Sequence, residues 1–261
     1  SAYHDRNRAL ASAKLIMPVL QNAQESPEID KSELLKSMAI DDLSFSYPDS
    51  LVKVLHNIKL GLPEKGLVLV KGISGSGKST LLKILAGSLK VDEGRISFNG
   101  HENAWSQEWL KHNSSYMNQF PFVFDGTLRY NVFLENAHNE PKDYPAFLDK
   151  ILAKKEEGWN TILTHNGKQL SGGEKQLLTL ARMMLHPRPV AILDEPTANL
   201  DVDTVEIILE QILKMSHERL VIVASHEDKF DAIMIFSDGG YKPFTKDQLT
   251  INIMNTYEFL M

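Results

Sequence analysis

Cysteine is absent from the 261-residue chain, which excludes disulfides, zinc–thiolate centres and thiol catalysis at once. A basic surplus is also missing. The 28 Lys and Arg residues stand against 34 Asp and Glu, giving a formal net charge of -6 and a pI near 5.9. Such a chain has no long-range attraction for a polyanion, so nucleic acid is not an expected partner. No run approaches the roughly 20 consecutive apolar residues that a membrane helix needs; the best of them, such as LVIVAS at 220–225, have the length of buried strands. There is no basic start followed by an apolar signal segment, and residue 1 is Ser rather than Met, so the chain is expected to be a piece of something longer. Internal repeats and low-complexity segments are lacking as well. What is present is 43% hydrophobic composition, enough for one good core and a small second lobe.

Residues 9–20 (ALASAKLIMPVL) carry apolar side chains at helical spacing and are expected to form a lead-in helix that breaks at Pro18. Residues 21–37 are polar and charged, contain a proline and show no apolar period, which marks a linker, so the catalytic unit is expected to start near Met38. From there MAIDDLSFSY, GLVLVKG and GRISFNG read as strands and STLLKILAGSL as a helix, while VAILDE and LVIVASH read as short central parallel strands. This is the pattern of an α/β domain. The stretch from about 120 to 188 lacks such strands and reads as an inserted, mostly helical lobe.

Residues 72–80 (GISGSGKST) match the phosphate-binding loop pattern between the apolar strand LVLV at 67–70 and a helix opening at Ser79. Gly72, Gly75 and Gly77 can turn successive backbone N–H groups toward an anion, and the helix start adds its positive end. Gly72, Ser74, Gly75, Ser76, Gly77, Lys78, Ser79 and Thr80 are therefore candidate contacts to ATP. Lys78 would reach the β and γ phosphates as a point charge, and the Ser79 hydroxyl would coordinate Mg²⁺. VAILDE at 190–195 is an apolar strand ending in two acids at the carboxyl edge, where ligands bind in open α/β sheets. Asp194 can hold the Mg²⁺ shell, leaving Glu195 to orient or deprotonate the attacking water. Taken singly, each motif has a bland reading, a Gly/Ser turn before an ordinary helix or an acidic pair opening a loop. Their order and flanks together favour a nucleotide site.

At 170–174 the sequence LSGGE, followed by KQLLTLAR, resembles the signature motif of the ABC ATPases. Ser171, Gly172 and Gly173 open a helix there, so their N–H groups and the Ser hydroxyl form a second anion site. The resemblance covers about residues 38–240. It implies a P-loop NTPase (RecA-like) core with an antiparallel β subdomain and an inserted α-helical subdomain. It also implies Mg²⁺-dependent ATP hydrolysis in a head-to-tail dimer, in which Ser171, Gly172, Gly173 and Glu174 of one copy contact the ATP held by the other. By the same resemblance Tyr47 stacks on the adenine, Gln119 contacts Mg²⁺ and water and links the helical lobe to the rest, Asp201 belongs to the D-loop, and His226 contacts the γ-phosphate. The signature ends in Glu174 rather than the more frequent Gln. His165 and Asn166 stand where the family's exporters carry an acidic, Gly-rich turn.

FPFVFDGTLRYNV at 120–132 resembles the segment after the Q-loop in exporters, and QESPEID resembles the linker after their last membrane helix. The resemblance thus implies the ATP-binding domain of an exporter, soluble when isolated, at the cytoplasmic face of a membrane (the inner membrane in a bacterium). Its partners would be a transmembrane domain, fused or separate, and a second nucleotide-binding domain, identical or homologous. A soluble ABC ATPase acting on DNA or the ribosome is the competing class. DNA-repair relatives interrupt the domain with long coiled coils, whereas Lys78 and Ser171 are 93 positions apart (171 minus 78). Ribosome-acting relatives usually carry two such domains and basic extensions, and neither is seen. A binding-only regulator is opposed by Glu195 and His226.

Overall fold

The computed structural model describes residues 33–48, 50, 52–72, 74–91, 93–102, 104–134 and 143–225, and the backbone of three short strands beyond them. The expected helix at 9–20 and most of the 21–37 linker lie outside the described residues, as does His226. In chain order the elements are β1 (Met38–Ser46), β2 (Lys53–Leu62), β3 (Gly66–Lys71), α1 (Lys78–Leu85), β4 (Glu93–Phe98), β5 (His101–Glu102), α2 (Ala104–Asn113), β6 (Ser114–Met117), β7 (Gly126–Thr127), α3 (Leu128–Phe133), α4 (Asp149–Leu152), β8 (Ile162–Leu163), α5 (Gly172–Leu185), β9 (Val190–Asp194), α6 (Val202–Ser216) and β10 (Leu220–Ala224), followed by β11 (Phe236–Ser237), β12 (Gly240–Tyr241) and β13 (Thr250–Asn252).

Five strands form a parallel sheet in the order β13-β3-β10-β9-β6. Both faces of this sheet are covered, which is why β10 is apolar throughout, β9 is apolar up to its terminal Asp194, and both are buried at every position. Side chains alternate between the faces. Val68, Val70, Ile192 and Ile222 point to one core, shared with α1 and with a second, antiparallel sheet of order β2-β1-β4-β5. Leu67, Leu69, Ala191, Leu193, Val221 and Val223 point to the other core, shared with α5, α6 and the lobe between β6 and α5. The fold is therefore the α/β architecture read from the sequence, with its antiparallel sheet packed on one side and its helical lobe on the other.

β2, β6 and α2 escape the sequence pattern. β2 has only two buried positions in ten, so its alternation is weak. β6 reads SSYM, and its two serines hide a parallel strand that pairs with β9 at the sheet edge. α2 has little apolar stripe, although Trp109 within it is fully buried and stacks on Phe98 with centroids 3.7 Å apart. α6 is strongly amphipathic and follows the capping Asp201. The regular structure of the lobe at 120–188 is mostly helical with a short antiparallel pair, Gly126 opposite Leu163, and among its described residues the helices other than the 14-residue α5 span six residues or fewer. The chain is tied to the domain before Met38: Leu35 is buried, and the Asn99 side chain accepts from the N–H groups of Lys36 and Ser37 and donates to the Leu34 carbonyl and the Glu33 carboxylate.

Candidate active site

All strands of the parallel sheet run the same way, so their carboxyl ends share one edge, and ligands bind at that edge in open α/β sheets. The residues just beyond four strands meet there. Gly72 follows β3, Gln119 follows β6 by two positions, Glu195 follows β9 and Ser225 follows β10, and all four line a cleft of about 820 Å³. The cleft is also lined by Val54, Lys71, Ser74, Gly75, Gly77, Lys78, Ser79 and Thr80. Most of the loop expected to hold ATP thus lines the same cleft as Gln119, expected to contact Mg²⁺ and water, and Glu195, expected to act on the attacking water.

The loop's geometry follows from its glycines. Gly75 and Gly77 take φ of 81° and 93°, the left-handed region that glycine enters without strain. Gly77 is the cap of α1, and a Cβ there would lie 2.9 Å from Leu55 and 3.0 Å from the Val54 carbonyl oxygen. Only a residue without a side chain lets the loop rest on β2. No acidic side chain stands in the first turn of α1, and no side chain caps it, so its N–H groups face outward. The Ser76 hydroxyl is buried with no hydrogen-bond partner among the described residues.

Lys78 is 7% exposed; its ammonium donates to the Gly72 carbonyl at 2.8 Å and stands 3.8 Å from Glu195 Oε1. Glu195 is buried and takes φ of 49°, a conformation in which a non-glycine residue is strained and which marks functional turns. Its N–H is held by the Ala224 carbonyl at 2.9 Å, so β10 fixes the turn that presents the carboxylate. Asp194, also buried, ends β9, and its Oδ2 accepts from the Tyr116 hydroxyl at 3.0 Å. Burial, and then the Asp194 carboxylate, push the Tyr116 phenol above its ordinary value, so it stays a donor.

Tyr47 does not line the cleft. Its ring packs edge-on against Phe45, and its hydroxyl hydrogen-bonds Thr80 Oγ1 at 3.1 Å, which joins β1 to α1 beside the phosphate loop. The signature residues are apart from the cleft too. Gly172 lines a smaller hollow of about 280 Å³ with Gln119, Phe120, Gln176, Asn199 and Leu200. Ser171 caps α5 reciprocally: its Oγ accepts from the Glu174 N–H at 3.2 Å, and its own N–H donates to Glu174 Oε2 at 3.0 Å. Asp201 caps α6 by accepting from the Thr204 N–H at 2.9 Å.

Sequence reasoning missed the residues that tie these parts together. Gln176 on α5 donates to the Gln119 carbonyl at 3.1 Å. Arg182, also on α5, donates to the backbone oxygens of Phe122 and Asn131 and to the Asn131 side chain, and lies over the Phe124 ring. Asn131 is fully buried and bonds the Phe124 N–H and carbonyl. Asn166 accepts from the Val123 N–H at 2.7 Å, so the unusual turn at His165 and Asn166, both left-handed, anchors the aromatic segment.

A profile of the ABC transporter family matches residues 55–198. The chain belongs to the ABC transporter family. Within it, the ATP-binding part is the ATPase, and this chain is similar to that part of several transporters. It is 32% identical over 216 residues to the glutathione/L-cysteine transport system ATP-binding/permease protein CydC of Haemophilus influenzae, covering 78% of this chain and 38% of that protein. It is 31% identical over 212 residues to the CydD counterpart of Bacillus subtilis, covering 78% and 37%. With the ATP-dependent lipid A-core flippase of Salmonella typhimurium it shares 28% identity over 247 residues, 89% of this chain and 42% of that one. The chain thus spans about two fifths of the length of the curated relatives it matches. A solved structure of a bacterial Atm1-family ABC exporter with ATP bound shares the fold, with a TM-score of 0.70 at 23% identity, covering 88% of this chain and 42% of that one.

Proposed function

We propose that this chain hydrolyses ATP with Mg²⁺ and powers export through a transmembrane domain, in a dimer whose two active sites are each built from both copies. The observation that carries this is the separation of the two anion-binding helix starts. α1 opens onto the large cleft, whereas Ser171, Gly172 and Gly173 do not line it, which supports a nucleotide held between the two kinds of helix start of different copies across a two-fold interface.

The donor set fits Mg²⁺. Ser79 and Gln119 line the same cleft as the loop, Asp194 lies buried at the end of β9, and among the described residues no cluster of three or more His, Asp or Glu side chains forms a protein-only cage. Such a sparse oxygen set suits a cation that shares its shell with phosphates and water. When bound, Mg²⁺ would neutralise charge on the β and γ phosphates. Lys78 binds those phosphates as a buried point charge, and Tyr116 holds the Asp194 carboxylate in place. Glu195 accepts the proton of the attacking water at Oε1 or Oε2, with the strained turn fixing its aim. Tyr47, held by Thr80, offers its ring to the adenine, and His226 supplies the γ-phosphate contact that the resemblance assigns to it.

For the partner, Phe120 and Phe122 are 80% and 61% exposed, and Phe124 and Leu134 are exposed beside them. Arg182 and Asn131 hold the backbone of Phe122 and Phe124, and Arg182 lies over the Phe124 ring, which supports a docking face for a transmembrane domain. Among the described residues no helix is long and apolar enough to cross a membrane; in this reading the transmembrane domain is contributed by other sequence, and the exporter resemblance puts the chain's work at the cytoplasmic face.

The test mixes a subunit carrying Lys78→Ala with one carrying Ser171→Arg, each with its own tag so that the mixed dimer is isolated. Shared sites leave one undamaged site, and that dimer is expected to trap one ATP. If each site were built within one chain, both would be damaged and no nucleotide would be trapped.

A further inference from the structure

The signature turn carries a carboxylate where a phosphate is to be received. Glu174 sits in the first turn of α5 with its Oε2 on the Ser171 N–H, at the positive end of the helix. A second carboxylate is close by: a Cβ on Gly173 would lie 3.7 Å from Asp201 Oδ2. Both groups lie beside the helix start, where their charge repels an incoming phosphate, more strongly at low salt than at high.

Two lysines from the turn after α4 oppose this charge. Lys154 Nζ donates to Glu174 Oε1 at 3.1 Å. Lys155 Nζ stands 4.0 Å from Glu174 Oε2 and donates to the Gln169 carbonyl at 2.9 Å, two residues ahead of the signature serine. Their backbone is fixed, since their N–H groups bond to the Ile151 and Leu152 carbonyls and Ile151 is fully buried. Glu174 itself is only 11% exposed at its side chain, while Lys154 is 67% exposed. The lysine therefore fills no core, and its role at this place is charge. A glutamine at position 174 would close the same capping box without charge and would need no lysine.

We propose that Lys154 is a positioning residue of the nucleotide site: with Lys155 behind it, it offsets the Glu174 charge and keeps the start of α5 attractive to the phosphates of ATP held by a second copy. The proposal rests on the reading of α5 as the half of the site supplied in trans. Removing Lys154 weakens ATP-driven association and leaves nucleotide binding by the monomer, which uses the α1 half, in place.

The experiment measures ATP-driven dimers by sizing and light scattering in the Glu195→Gln background, adding K154M, E174Q and the two together. A fluorescent ATP analogue reports binding by the monomer. K154M is expected to weaken the ATP-driven dimer about fivefold at low salt, with the gap narrowing at high salt. In the E174Q background the same change is expected to matter by less than about twofold, because the charge it offsets is gone. An equal deficit in both backgrounds, no deficit in either, or a loss of monomer binding would each overturn the role of Lys154 while leaving the shared site standing. Failure of the Glu195→Gln parent to dimerise with ATP would instead remove the shared-site reading, and this inference with it.

Discussion

Lys78 and Glu195, 3.8 Å apart and both almost wholly buried, are legible in the sequence because each belongs to a motif whose spacing the chemistry demands. The conformation of Glu195 was not. Nothing in VAILDE announces a left-handed residue, since the turn is imposed from outside by the Ala224 carbonyl on the neighbouring strand. Tyr116 was equally hidden, because its tie to Asp194 depends on β6 lying beside β9. The geometry gives Glu195→Gln a definite outcome: the amide holds a water but accepts no proton, so turnover is expected to fall by about 10²- to 10⁴-fold while ATP still binds. Phosphate release and nucleotide binding measured on one preparation check it. Normal turnover would move the base to another residue.

At the scale of elements, α5 does more than present the signature. Its first turn holds Glu174 and its fourth holds Arg182, which gathers Phe122 and Asn131 of the aromatic segment. Burial lowers the Arg182 guanidinium to about 10, still far enough above neutral pH that it stays charged there. Arg182→Ala would leave the Phe122 and Asn131 carbonyls without their donor, and is expected to destabilise the domain by about 2–3 kcal/mol. Chemical denaturation reads the loss, and rapid proteolysis between Phe120 and Asn131 would accompany it. Unchanged stability would mean that the aromatic segment is held by Asn131 and Asn166 alone. The sequence revealed α5 and the central strands, where period and motif coincide. It concealed β6 and the bounds of the lobe's short helices, which are placed by tertiary contacts rather than by local preference.

Across the whole molecule, acid should act through carboxylates that the fold has captured. The Lys59 ammonium, then the Arg95 guanidinium, hold Asp41 below its ordinary value, and the Thr204 N–H and hydroxyl do the same for Asp201. Lys111 lowers Glu108; burial raises Glu174, but the Ser171 N–H and the two lysines outweigh it. Depressed folded values mean that these groups contribute stability above their unfolded values, near 3.8 and 4.5, and lose it as pH falls through the folded ones. Thermal midpoints are therefore expected to stay level from neutral pH to about 5 and to drop below about 4; a decline beginning near pH 6 would point to histidines instead. The parallel sheet has a further consequence for how the chain tolerates change. Because it stands as a wall with Ile192 and Ile222 on one side and Leu193 and Val223 on the other, substitutions on opposite sides share no cavity to collapse into. A library combining changes at all four positions should show epistasis within each side and near-independence across it, to within about 0.5 kcal/mol, so the two cores are free to drift as separate lineages of compensating mutations while the strands between them keep one shape.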